Sequence, residues 1–162
     1  MSADHKPLEK TIGNALSGKG AHVATKDLFS GLNWKRAGKR PEGAPHSIFQ
    51  LLNHMVFWQD WVVKWLDGES PAIPRHASGG WPGNPSPADA KEWQGALQGF
   101  RSGLEKLSRQ SRQADLLTRR GKNSRLGMLQ TIASHNSYHA GQVVVLRQVL
   151  GAWPPPSGGV TW

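Results

Sequence analysis

The most constraining feature of the chain is a helix-spaced stripe near the C-terminus: Met128, Ile132, His135, His139, Gln142, Leu146 and Val149. Its ends are apolar and its middle is polar. An apolar face on a helix has to be buried against other elements, while buried imidazoles and amides cost free energy unless they find partners. The stripe therefore demands a helical interior with something polar waiting in it. His135 and His139 are four residues apart, so their Cβ atoms stand on one face roughly 5–6 Å apart. Imidazoles in that relation can converge on one metal ion at about 2.0–2.1 Å. A third ligand has to come from another helix, and His54 is the candidate.

The rest of the chain reads as the bundle that brings those helices together. A first helix is expected over residues 7–17, with Pro7 at N1 and Leu8, Ile12 and Leu16 at helical spacing. A short helix is expected near Thr25, and residues 33–45 read as a basic surface loop. Ser47 is the expected N-cap of a long helix reaching Asp67, with Gly68 as its stop. His54 shares a side of that helix with Leu51, Trp58 and Trp61. Residues 69–87 form a Pro- and Gly-rich connection of a length often found in binding loops, and Trp81 in it is placed to fold back over the core or a pocket mouth. Ser86-Pro87 suggests the start of the next helix, which carries Trp93, Leu97, Phe100, Leu104 and Leu107. Gly95, Gly99 and Gly103 recur on a neighbouring face. Each costs about 1 kcal/mol against Ala, so close helix packing or self-association is the expected compensation. Residues 111–123 are a basic connection, and Asn123 or Ser124 caps the last helix, which runs to Leu150. The whole of 1–162 is expected to form a single all-α four-helix bundle with no convincing strand.

Composition narrows the function. With no cysteine among 162 residues, disulfides, thiolate metal sites and cysteine nucleophiles are excluded. Residues 1–6 lack an apolar signal core and no apolar run could span a bilayer, so a cytoplasmic protein without membrane contact is expected. The formal net charge is +9. Its clusters, Lys35 to Arg40 and Lys106 to Arg125, read as solvated surface ahead of a nucleic-acid site, since no recognition-helix or RNP-like pattern accompanies them. No Glu follows either histidine of the pair, so the His-Glu-x-x-His protease arrangement is absent. Ser134 and Ser137 have no acid–base partners in the sequence. Gln142 is suited to orient a ligand or a water. Asp60 and Glu92 are the carboxylates that other helices could supply. His22, His46 and His76 fall at loop or helix junctions, where surface or capping roles are expected.

The pieces His46-Ser47-Ile48-Phe49-Gln50-Leu51-Leu52-Asn53-His54 and His135-Asn136-Ser137-Tyr138-His139-Ala140-Gly141-Gln142 together resemble the DinB/YfiT-like family. The Trp81-Pro82 loop and the Leu150-Gly151-Ala152-Trp153-Pro154 ending add to the likeness. The resemblance implies a four-helix bundle, often dimeric, with a divalent metal, Ni²⁺ or Zn²⁺, on His54, His135 and His139. It implies a metal-dependent enzyme of the thiol S-transferase or hydrolase type, acting on a small molecule with a low-molecular-weight thiol. A non-catalytic metal- or ligand-binding protein is the alternative, and a basic nucleic-acid-associated protein ranks last. Two departures stand out. Ser134 occupies a position that is often acidic in the family, and residues 119–125 are unusually basic.

Overall fold

The computed structural model describes residues 5–159, so the expected unit over 1–162 reaches beyond it at both ends. Four long helices dominate: α1 (His5–Ser17), α3 (Ile48–Leu66), α4 (Ala90–Gln110) and α5 (Arg125–Val149), with a one-turn α2 (Trp34–Ala37) before α3. The stretch read as a surface loop thus contains a helical turn. Asn33 caps it by accepting from the Arg36 amide, and Ala37 within it is fully buried. A two-stranded antiparallel hairpin, β1 (Arg119–Arg120) and β2 (Asn123–Ser124), precedes α5. Strands of two residues are too short to show the alternation by which strands are read from sequence. None of the described helices is long and apolar enough to cross a membrane.

Helix starts show where local chemistry won. Ser47 caps α3 as expected. The Gln50 side chain also reaches back to the Ser47 amide at 3.1 Å, completing a capping box. Ser86, however, does not cap α4. Its hydroxyl is taken by the Gly38 carbonyl at 2.9 Å, and Asp89 caps the helix instead, accepting from the Glu92 amide at 2.8 Å. Ser124 caps α5 through the Gly127 amide.

The chain direction follows from which residues meet. Gly99 faces Val56 and Gly103 faces Gln59, so α3 and α4 run parallel. Parallel neighbours need a long crossover, which is the physical reason for the extended connection after Asp67. Along α5 the order is reversed. Ala140, Val143 and Leu146 pack with Ile48, Leu51 and Leu52 in one core cluster, while Leu129 and Ile132 pack with Val62 and Leu66 in the other. The polar middle of α5 therefore lies between two apolar layers, level with the middle of α3.

Two basic side chains serve the fold. Arg147 is 1% exposed and donates to the carbonyls of Leu28, Ser30 and Ala152 at 2.9–3.0 Å. Arg120, in the basic hairpin, donates to the carbonyls of Trp65 and Glu69 and stacks over the Trp65 ring. That arginine ties the hairpin to the end of α3.

The glycine face of α4 separates into two kinds of position. A Cβ at Gly103 would collide with the Gln59 side chain, which is itself fully buried, whereas a Cβ at Gly95 meets nothing within 4 Å. Gly103→Leu should therefore destabilise by about 1–3 kcal/mol through overpacking. Gly95→Ala should stabilise by about 0.4–1 kcal/mol through helix propensity and a less flexible unfolded chain. Urea unfolding of the two variants checks both signs.

Candidate metal centre

His54 comes from the middle of α3, and His135 and His139 from successive turns of α5. The structure brings all three together. Each offers a ring nitrogen, and these atoms lie within 4.8 Å of one another. His54 and His139 are buried and His135 is partly buried. His54 Nε2 and His135 Nε2 are 3.2 Å apart.

Partners on the far side of each ring fix what the near side presents. His54 Nδ1 lies 2.7 Å from the Gly80 carbonyl oxygen. A carbonyl only accepts, so Nδ1 carries the proton and Nε2 turns a lone pair into the cluster. His139 Nδ1 likewise donates to Gln142 Oε1 at 2.7 Å. With His54 Nε2 an acceptor, His135 Nε2 is the donor in the bond between them. His135 Nδ1 is then unprotonated, and it is buried without a partner. The amide of Asn136, which favours the protonated form of His135, is also buried with neither atom bonded in good geometry.

These observations fit a divalent ion. Two nitrogens bound at 2.0–2.1 Å in a tetrahedral arrangement stand about 3.3 Å apart, close to the 3.2 Å observed between His54 and His135. An ion in place of the shared proton would move that proton to His135 Nδ1, where an unbonded acceptor on Asn136 is at hand. Imidazole donors suit Zn, Ni, Cu and Fe. Carbonyl and amide partners behind the ligating rings are the usual means of holding them in orientation.

Trp81 and Gly80 come from the crossover, not from a helix. The Trp81 ring stacks on His54 at 3.8 Å and 9°, and on its other face His46 stacks at 3.7 Å and 11°. Gly80 packs closely here: a Cβ would stand 3.2 Å from Trp58 Nε1, tight enough that the ring would have to give slightly, and 3.6 Å from His54 Nδ1, an ordinary contact. Gln50 donates to the Pro82 carbonyl and Ser47 to that of Pro85, tying the same loop to the first turn of α3. Trp58 stands edge-on to both His54 and His135, so it flanks the centre. Trp61 lies beyond it and donates to the Ala72 carbonyl.

Other candidates fall away from the cluster. Asp60 pairs with Lys64 on the surface. Glu92 accepts from the Ala88 amide at the start of α4. His22 links Ser137 and the Val23 carbonyl, and His76 flanks a short 3₁₀ turn. His46 was expected to be peripheral, and instead forms the outer layer of the stack on His54. Only the fold of the crossover determines that contact, so periodicity could not disclose it. Gln142 was legible because it lies on the same stripe as the histidines.

Burial lowers the proton affinity of all three rings. His135 falls to about 4, through desolvation first and then the proximity of His139 and His54. His54 and His139 are also lowered, desolvation again being the largest cause, with their hydrogen bonds to Gly80 and Gln142 opposing it.

These features define a helical bundle with a buried three-histidine centre closed by a loop. The chain belongs to the DinB superfamily, whose family model matches residues 20–143. No curated protein sequence matches it.

The lowered affinities set a pH dependence. The unfolded chain binds protons on these histidines near pH 6.5, while the folded metal-free protein resists until lower pH, about 4 for His135. Between those values the unfolded state holds more protons, so stability rises with pH. The metal-free protein should keep its full histidine-linked stability above about pH 6.5 and lose it as pH falls toward about 4. Melting temperatures across that window should fall more steeply for wild type than for His135→Leu.

Proposed function

We propose that the chain is a divalent-metal enzyme in which His54, His135 and His139 hold one Ni²⁺ or Zn²⁺ ion, and that it acts on a small molecule in a thiol S-transfer. The observation carrying this reading is the convergence of three neutral imidazoles whose outward nitrogens, in His54 and His139, are already committed to oxygen acceptors. An ion on three histidines supplies Lewis acidity with coordination positions left open.

The chain's own residues supply the rest. Gly80 and Gln142 hold two ligand rings at fixed tautomers. Trp58 and Trp81 cover the rings and limit water. Thiol transfer is favoured over hydrolysis by what surrounds the centre. A thiol loses its proton to solvent with a pKa of about 8.5 without a dedicated base. A hydrolytic water needs a positioned proton acceptor, and the two candidate carboxylates, Asp60 and Glu92, are engaged elsewhere. The same feature supports a second reading, a metal- or ligand-binding protein of this fold without turnover.

Elemental analysis of untagged protein tests the reading. About one Ni or Zn per chain is expected, lost in His54→Ala, His135→Ala and His139→Ala. Gln142→Ala should retain the site but weaken metal affinity by about 10–100-fold, as loss of a ligand's outer partner does. Thiol-dependent turnover of electrophiles by loaded protein, and none by the histidine variants, separates the enzyme from the non-catalytic reading. No metal after reloading with Ni²⁺, Zn²⁺ or Mn²⁺ would overturn both metal readings.

A further inference from the structure

A cavity of about 430 Å³ lies between the segment leading into α3 and the exposed side of α5; none of the three histidines lines it, but Gln142, the hydrogen-bond partner of His139, does. Its walls include His46, Leu51, Tyr138, Gly141, Gln142 and Val145. Clefts for small organic ligands run from about 300 to 1,000 Å³, so the size suits one. No aspartate, glutamate, lysine or arginine lines it, in a chain of net charge +9. Tyr138 is 67% exposed and Val145 56% exposed. These side chains form an apolar rim where a helix surface would ordinarily be polar.

Apart from Tyr138, the polar side chains in the walls are Gln142 and His46, each one residue removed from the centre. Gln142 Oε1 accepts from His139 Nδ1, which leaves the amide N–H groups of Gln142 free to donate. His46 reaches His54 through the Trp81 ring sandwiched between them. The other large cavity, about 460 Å³ between α1 and α4, is rimmed by Lys26, Arg109 and Arg112 and contains no residue bonded to any of the three histidines.

We infer that the uncharged cavity is the subsite for the hydrocarbon portion of a neutral small-molecule substrate, with Gln142 donating an amide N–H to a carbonyl oxygen on it. This rests on the metal-centre reading above for the word substrate. The binding itself does not depend on a metal. An anionic ligand would find no cationic side chain in these walls to pair with its charge. An aromatic or branched hydrocarbon bearing a neutral carbonyl gains apolar contact and satisfies the free donor. The selectivity therefore lies in the acceptor of the thiol transfer, not in the thiol.

Acetophenone is the probe, with benzoate as its charged counterpart, read by ¹H–¹⁵N NMR on the full chain in metal-loaded and metal-stripped forms. Acetophenone should give saturable shifts at the Gly141 and Val145 amides and at the Gln142 side-chain NH₂. Benzoate should bind about 10-fold more weakly or worse, because its charge stays unpaired. A Cβ at Gly141 meets nothing within 4 Å, so Gly141→Leu projects into the cavity from an unobstructed position and should abolish the shifts while metal content stays unchanged. Val145→Trp provides a second blocking variant on an exposed position. The inference is overturned by absent or unsaturable shifts at these groups, by benzoate binding as well as acetophenone, or by undiminished binding in both blocked variants. Sedimentation of wild type as a dimer that Gly141→Leu dissociates would give this face to a second copy of the chain and also overturn it. Shifts that persist in a protein unable to hold metal would leave the cavity standing and remove the enzyme reading, so the two failures are distinct.

Discussion

The seam between α3 and α5 governs the structure. Three imidazoles are buried where two apolar layers meet, at positions that leucine would fill more cheaply. Burying polar rings is tolerable only when their nitrogens are matched. His54 and His139 are matched through Gly80 and Gln142. His135 is not, and neither is the amide of Asn136 beside it. The unmatched atoms cluster at the place where an ion would rearrange a proton. The Gln59 amide on α3 and His46 Nδ1 are also buried without partners, so the mismatch includes the histidine cluster without being confined to it.

The parallel arrangement of α3 and α4 has a direct bearing on that seam. It forces a crossover, and the crossover is what delivers the Gly80 carbonyl and the Trp81 ring to His54. An antiparallel pair joined by a tight turn would leave His54 Nδ1 without its acceptor. The close approach at Gly99 and Gly103 that brings the parallel helices together is therefore connected to the tautomer of a ring on the far side of α3.

Much of this was legible in the residues. The stripes of α3, α4 and α5 have a strong 3.6 period because each faces a shared core; helix spacing gave the His135–His139 pair, and the family resemblance singled out His54 as its companion. What escaped was the geometry of segments with no period. Ser86-Pro87 has the chemistry of a helix start, yet Gly38 competes for the hydroxyl and Asp89 wins the cap. Residues 33–45 looked like loop because they are basic and rich in Gly and Pro, although Ala37 is fully buried. His46 and Trp81 meet only because the crossover folds back over α3, a tertiary event that neither residue's neighbours encode.

Arg147 shows how a chain without cysteine closes a long loop. Its guanidinium gathers carbonyl oxygens from Leu28, Ser30 and Ala152, joining points separated by well over a hundred residues much as a disulfide might. The physics differs. A disulfide acts largely by restricting the unfolded chain, whereas this clamp exists only once the native carbonyls are in place. It adds nothing to the rigidity of the denatured ensemble, and no reductant or oxidant can switch it.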